Sequence, residues 1–187
     1  MKIFVTGGTG FIGSHFLNAA FAAGHTVVAH RRSILSLPRV PLIAEPHWVE
    51  GRLSDITGKD CEECEALVHL AAHTANIPYD TLENCIHYNV LEPIALFRAA
   101  AAAGIERLVV AGSCFEYGVA GERYEYIPAD APLEPAQSYP ASKAAASIAF
   151  RALAVELGLQ LSIHRRGKYL GKVRQNHDFG RACNALR

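Results

Sequence analysis

Thr6-Gly7-Gly8-Thr9-Gly10-Phe11-Ile12-Gly13 is the stretch that decides the fold, because its glycines recur at a regular spacing between a strand and a helix. Gly8, Gly10 and Gly13 satisfy G-x-G-x-x-G, and Gly7 begins the overlapping G-x-x-G-x-x-G pattern. The early glycines allow a tight turn, Gly10 lets the backbone approach a pyrophosphate, and Gly13 lets the helix pack closely on the strand. In this strand–turn–helix context the pattern predicts a dinucleotide site at the helix N-terminus. The residues that we predict to contact the cofactor here are Gly7, Thr9, Gly10, Phe11, Ile12 and Gly13.

Short apolar runs alternate with helical segments along the chain. The runs that predict buried strands are residues 2–6, 26–30, 47–50, 66–70, 107–111 and 159–164. The segments that predict helices are residues 11–23, 81–103 and 139–157. Gly104 and Gly158 end the last two helices, and Pro93 is expected to kink the longer one. The pattern predicts an α/β fold, a Rossmann-like doubly wound parallel sheet with helices on both faces.

The end of the second predicted strand indicates which dinucleotide is bound. An acidic residue at this place would bind the free ribose 2′-hydroxyl of NAD. The sequence instead reads His30-Arg31-Arg32-Ser33, and guanidinium groups bind a 2′-phosphate through charge-assisted hydrogen bonds. Arg31 and Arg32 therefore predict a preference for NADP(H), with NAD(H) as the alternative. A solvated basic loop is the structural alternative for the same residues.

Composition gives no indication of nucleic-acid or membrane partners. The 187 residues include 18 Lys and Arg and 18 Asp and Glu, so the formal net charge is zero. The start of the chain reads as a strand and not as a signal peptide, and no apolar stretch reaches the roughly 18 residues that span a bilayer. We therefore expect a cytoplasmic protein.

The five cysteines do not suggest a disulfide framework or a metal site. Their number is odd and they are widely spaced along the chain. Cys61 and Cys64 have C-x-x-C spacing, but a zinc site needs a second pair of ligands, which the sequence does not offer. We expect these two cysteines to lie at the surface or at a helix start, and we predict no metal.

Four further segments follow the glycine turn in a characteristic order: Val68-His69-Leu70-Ala71-Ala72, Tyr88-Asn89-Val90, Ala111-Gly112-Ser113-Cys114-Phe115-Glu116-Tyr117-Gly118 and Tyr139-Pro140-Ala141-Ser142-Lys143. With that turn they resemble the extended short-chain dehydrogenase/reductase family, also called NAD-dependent epimerase/dehydratases. The resemblance covers about residues 1–164. It implies that Leu70, Ala71 and Ala72 pass beside the cofactor, and that Asn89 braces the active site. It also implies that Ser113 carries a catalytic hydroxyl.

Tyr139 and Lys143 match the YxxxK motif and are the predicted catalytic pair. Four residues apart at a helix start, they share one face of the helix. A nearby ammonium group lowers the pKa of a phenol, whose ordinary value is near 10. The resemblance implies that Lys143 also bonds the nicotinamide ribose. Tyr139 then exchanges a proton with the substrate during hydride transfer, while Ser113 orients the same substrate oxygen.

Two histidines beside this region receive different interpretations. His69, at a strand end, is expected to be a packed, hydrogen-bonded residue rather than a catalyst. His73 lies just past that strand, where it could contact substrate.

The segment Gly51-Arg52-Leu53-Ser54-Asp55 departs from the family pattern. Relatives often have Gly-Asp-Leu-x-Asp here, and the first Asp usually bonds the adenine amino group. Arg52 replaces that Asp, so we expect it to stack on adenine or to reach its phosphate. Leu53 is still expected to touch the adenine ring.

The end of the chain is the larger departure, because family members usually continue well past 187 residues. We expect residues 1–164 to form the NAD(P)-binding domain with the catalytic pair. Residues 165–187 are then a remnant of the substrate-binding region, with most of the C-terminal substrate domain missing. An oligomer would bury the apolar surface left uncovered. The resemblance implies a homodimer through the long helix and the Tyr–Lys helix.

Two functions fit these observations. The first is an NADP(H)-dependent oxidoreductase, epimerase or dehydratase that acts on a nucleotide sugar, by 4-keto reduction or by epimerisation. The second is an NADP(H)-binding protein without turnover: a sensor, an interaction subunit or a truncated remnant. The shared fold does not decide between them.

Overall fold

The computed structural model describes residues 1–166, which form one fully parallel six-stranded sheet. Its strand order is β3-β2-β1-β4-β5-β6. The strands are β1 (Lys2–Thr6), β2 (Thr26–Arg31), β3 (His47–Glu50), β4 (Ala66–His69), β5 (Arg107–Ser113) and β6 (Gln160–Arg166). The chain builds outward from β1 to β3, then crosses back to β4 on the other side of β1. This order confirms the predicted doubly wound sheet and opens a crevice between β1 and β4.

Helices cover both faces of the sheet. They are α1 (Phe11–Ala22), α2 (Leu82–Ile86), α3 (Glu92–Ala102) and α4 (Ser138–Leu157). In β1, Ile3 and Val5 pack with α1, whereas Phe4 packs with α3 and α4 on the opposite face. All three side chains are completely buried. Burial on both faces explains why this strand is continuously apolar and does not alternate with polar residues.

Three strands run further than the sequence predicted. β2 includes Arg31, β5 continues to Ser113, and β6 continues to Arg166. β5 and β6 extend together, because they pair without interruption from Arg107↔Gln160 to Ser113↔Arg166. The predicted domain limit at residue 164 lies inside β6, and residues 167–187 of the predicted remnant lie outside the described residues.

The predicted helix 81–103 is divided by a π-helical turn at His87–Leu91, between α2 and α3. Pro93 lies in the first turn of α3. Proline has no N–H, so it cannot donate to the carbonyl four residues earlier, which belongs to Asn89. The wider turn before Pro93 fits this missing bond, and such turns occur frequently at functional sites. The interruption thus falls on the Asn-Val motif.

Cys61 and Cys64 are both buried, so the expectation of a surface position was wrong. Cys61 ends a 3₁₀ turn, Gly58–Cys61, and both thiols belong to the core beneath α3. Burial raises the pKa of the Cys61 thiol to about 12, which makes it unreactive at neutral pH. Within residues 1–166, no helix is long and apolar enough to cross a membrane, and no three side chains of metal-ligand type come together.

Candidate active site

The predicted functional segments meet at the carboxyl edge of the sheet. The glycine turn follows β1, and Leu70, Ala71 and Ala72 follow β4 on the other side of the crevice. Arg31 ends β2, and Ser113 ends β5. Ligands of doubly wound sheets bind in the crevice outside this edge, where the strand order reverses.

Two glycines of the opening turn are required by the backbone itself. Gly7 has φ of +74°, and a Cβ atom there would lie 2.5 Å from the backbone nitrogen of Ala71. At Gly13 a Cβ atom would lie 2.0 Å from the carbonyl oxygen of Gly7. Gly7 therefore allows the turn to approach the end of β4, and Gly13 allows α1 to approach the turn.

The N-terminus of α1 can accept an anion. Gly10 begins the helix without a side-chain cap, and the first turn contains no acidic residue. The Ser14 hydroxyl donates to the carbonyl oxygens of Gly10 at 2.7 Å and Gly8 at 3.1 Å, which holds the turn in place. Helix N-termini of this kind bind phosphate through free N–H groups and the helix dipole. Phe11, Ile12 and Thr9 are at least partly exposed at this position.

Arg31 already has two partners. Its Nη2 atom lies 2.6 Å from Oε1 of Glu50, and its guanidinium group stacks over the Trp48 ring at 4.9 Å. Arg32, the next residue, is exposed. A 2′-phosphate that bound Arg31 would therefore compete with Glu50, an interaction that the sequence analysis did not foresee. Trp48 is half-buried beneath Arg31.

The side chains of Arg52 and Leu53 lie in different surroundings in the structure. The Arg52 guanidinium is largely exposed and lies 3.8 Å from Glu92 of α3. Leu53 is buried in the core between the sheet and α3. Contact of either residue with adenine stays a prediction.

His69 confirms the expectation of a packed, hydrogen-bonded residue. Its Nδ1 atom lies 2.7 Å from the hydroxyl of Thr6, and its ring packs edge-on against Phe97. Burial, with smaller effects from the charges of Lys143 and His30, lowers the pKa of His69 to about 3. The imidazole is therefore neutral at neutral pH and ties β4 to β1.

Asn89 joins the loop after β4 to α4. Its side-chain oxygen accepts the His73 N–H at 2.7 Å, and its amide nitrogen donates to the Ser142 hydroxyl at 3.0 Å. His73 in turn lies 2.7 Å from the carboxylate of Asp80. Asp80 and Ser142 were not among the site residues predicted from the sequence. Ser142 lies inside the YxxxK motif, and that position was the available signal.

The structure brings the three predicted catalytic residues together between β5 and α4. Ser113, Tyr139 and Lys143 are each at least nine-tenths buried. The Ser113 hydroxyl forms a hydrogen bond with Tyr139 and accepts the Phe115 N–H at 3.2 Å. Lys143 donates to the carbonyl oxygen of Ala111 at 2.7 Å, and the Tyr79 ring stacks on Tyr139 at 5.4 Å.

Burial is the main influence on the pKa values of Tyr139 and Lys143. Burial raises the pKa of Tyr139, and its hydrogen bond with Ser113 offsets this only in part. Burial also lowers the pKa of Lys143 to about 8. The ammonium of Lys143 was expected to lower the pKa of Tyr139, but in this structure desolvation is the largest influence and the pKa is raised. At neutral pH Tyr139 is therefore a phenol, the form that can donate a proton to a carbonyl oxygen.

The comparisons with known proteins identify the family of the chain. Residues 3–186 match the model of the NAD dependent epimerase/dehydratase family. The chain belongs to this family. This epimerase/dehydratase chain is 28% identical over 165 residues to a UDP-glucose 4-epimerase of Corynebacterium glutamicum, in an alignment that covers 85% of this chain and 48% of the relative. It is 30% identical over 152 residues to a UDP-glucose 4-epimerase of Azospirillum brasilense, covering 76% and 41% of the two chains.

The solved structures of similar proteins also have longer chains, of which this chain covers about half. A NAD-dependent NDP-hexosamine 5,6-dehydratase of tunicamycin biosynthesis has a TM-score of 0.76 and 27% identity, and covers 88% of this chain and 54% of its own. MoeE5 in complex with UDP-glucose and NAD has a TM-score of 0.71 and 29% identity, with 87% and 52% covered. The epimerase/dehydratase chain thus spans about half the length of these relatives, or less.

Proposed function

We propose that this chain binds a nicotinamide dinucleotide and supports hydride transfer on the sugar of a nucleotide sugar. One observation carries the proposal: Ser113, Tyr139 and Lys143 meet at the carboxyl edge of the sheet that bears the glycine turn. UDP-glucose 4-epimerases among the relatives, and the MoeE5 complex, support a nucleotide sugar as substrate. Epimerisation, dehydration and 4-keto reduction all include a hydride transfer between the sugar and the nicotinamide.

The residues present fit a dinucleotide. The uncapped N-terminus of α1 suits a diphosphate, and a Cβ atom at Gly10 would meet only the Gly7 carbonyl at 3.2 Å, so this side of the turn is open. The bound nicotinamide would supply or accept the hydride. Ser113 orients the sugar oxygen, Tyr139 donates or takes the proton at its phenolic oxygen, and Lys143 keeps a positive charge nearby below about pH 8.

An activity assay with cofactor and nucleotide sugar tests this proposal. Purified protein is incubated with NADP(H) or NAD(H) and with UDP-glucose or 4-keto nucleotide sugars. We expect cofactor turnover at 340 nm or formation of the C4 epimer, detected by chromatography. Tight dinucleotide binding without turnover of any sugar would instead support a cofactor-binding protein without activity.

The proposal includes a preference for NADP(H). No acidic residue ends β2, and Arg31 and Arg32 stand where a 2′-phosphate would be placed. Glu50 neutralises part of this positive charge, because it pairs with Arg31. The preference therefore depends on how far a phosphate displaces Glu50.

We expect Arg31→Asp to weaken NADPH binding relative to NADH by about tenfold or more, because a charge-assisted hydrogen bond to phosphate is replaced by repulsion. Glu50→Gln should strengthen NADPH binding a few-fold, since it frees the guanidinium group. Fluorescence titration with both cofactors measures these affinities, and Arg123→Asp is the control, because this exposed arginine also pairs with a glutamate, Glu134, but lies outside the β2 edge. An unchanged NADPH-to-NADH ratio in Arg31→Asp contradicts the assignment.

We also propose that the chain forms a homodimer through its helical layer. Leu91, Ile148 and Val155 are large apolar side chains exposed at the π-helical turn and on α4. Arg98 of α3 pairs with Glu156 of α4, so the two helices present one continuous surface. A second copy of the chain would bury these side chains, and sedimentation velocity measures the association.

A further inference from the structure

Glu116 is the most deeply buried charged residue beside the catalytic groups, and it is fully enclosed. Its Oε1 atom accepts the backbone N–H of Ser113 at 2.7 Å. Its Oε2 atom accepts the Ser147 hydroxyl and the Nε–H of Arg165, both at 2.6 Å. A buried carboxylate is retained only where donors of this quality surround it.

These contacts connect Glu116 to every element that carries the catalytic residues. Ser113 ends β5, and Ser147 follows Lys143 by four residues on α4. Tyr139, Lys143 and Ser147 therefore occupy one face of this helix. Arg165 fixes the carboxylate from β6, and it also donates to the hydroxyl of Tyr117 at 3.2 Å.

The backbone at Gly112 is also shaped around this carboxylate. A Cβ atom at Gly112 would lie 2.8 Å from Oε1 of Glu116 and 3.0 Å from the Arg165 side chain. Glycine at the penultimate position of β5 thus leaves the space into which the carboxylate fits. This observation is independent of the hydrogen bonds.

We propose that Glu116 is a positioning residue of the hydride-transfer site. Its carboxylate holds Ser113 and the face of α4 that carries Tyr139 and Lys143, and it places a negative charge close to both of these side chains. This proposal rests on the proposed function of the same site. Glu116 lies in the motif Ala111–Gly118, but the sequence assigned it no role, because its partners Ser147 and Arg165 are 31 and 49 residues away.

The charge of Glu116 acts on both members of the catalytic pair. Burial is the main influence on each, but Glu116 raises the pKa of Lys143 and also that of Tyr139. Tyr79 and Cys114 also raise the pKa of Tyr139, and the hydrogen bond with Ser113 lowers it. Removal of the negative charge should therefore make Tyr139 titrate at lower pH.

The test is a pH titration of Tyr139 in the full chain labelled with ¹³Cζ-tyrosine, in which Tyr139→Phe identifies the signal. We expect Glu116→Gln to lower the pKa of Tyr139 by about half a unit or more, because the amide keeps the shape but loses the charge. Glu116→Asp, which keeps the charge, should restore most of the wild-type value. The matched control is Glu92→Gln, a nearly buried glutamate of α3.

A folded Glu116→Gln protein in which Tyr139 titrates as in wild type overturns the proposal, and so does an equal shift in Glu92→Gln. Arg165 would be left as an unpaired buried charge, which can prevent folding. In that case Glu116→Gln/Arg165→Gln decides: a pKa of Tyr139 below wild type supports the proposal, and one at or above wild type overturns it. The titration needs no substrate, so absence of turnover in the wild type would contradict the proposed function alone.

Discussion

Replacing Tyr139 with Phe should lower kcat for hydride transfer by about 10²- to 10⁴-fold, the usual contribution of a general acid or base. The variant removes only the phenolic oxygen, which we propose exchanges a proton with the sugar. The remaining ring keeps its stacking on Tyr79, at 5.4 Å, and its buried position. We therefore expect the fold and the dinucleotide affinity to change little.

Steady-state kinetics and cofactor titration on the same preparations measure the two effects separately. Tyr126→Phe is the control, because this tyrosine is largely exposed and lies outside the site. A rate in Tyr139→Phe within about threefold of wild type would show that another group carries the proton. A parallel loss of cofactor binding would show that the phenol mainly holds the dinucleotide.

Gly13→Ala should abolish dinucleotide binding and lower the free energy of unfolding by about 3 kcal/mol or more, at the upper end of overpacking effects. The added Cβ atom would lie 2.0 Å from the Gly7 carbonyl oxygen and 2.7 Å from the Gly7 carbonyl carbon. Both obstacles are backbone atoms, so no change of rotamer relieves the clash. The helix must move away from the turn, which separates the N–H groups that we propose bind phosphate.

Urea unfolding and NADPH titration measure these two consequences. Gly58→Ala is the matched control, because a Cβ atom there meets its nearest neighbour, the Ala99 carbonyl, at 3.4 Å. We expect its free energy of unfolding to stay within about 0.5 kcal/mol of wild type. A Gly13→Ala protein that binds NADPH with wild-type affinity would contradict the role assigned to this glycine.

The sequence alone predicted the class of fold and indicated a candidate site. The glycine spacing after Lys2–Thr6, and the apolar runs between helices, are local patterns, and they predicted a doubly wound sheet that the structure confirms. The ends of the strands were not predicted from local patterns, because they depend on which strands pair with each other in the sheet. β5 reaches Ser113 only because β6 accompanies it to Arg166.

The tertiary structure decided the interactions of the buried and charged groups. Arg31 is paired with Glu50, 19 residues away, and Glu116 with Arg165, 49 residues away. Desolvation raised the pKa of Tyr139 against the expected effect of Lys143. Periodicity and motif spacing depend on residues that are close in sequence. Burial and ion pairing depend on residues that only the folded chain brings together, so the sequence predicted which groups meet at the candidate site and the fold set their proton affinities.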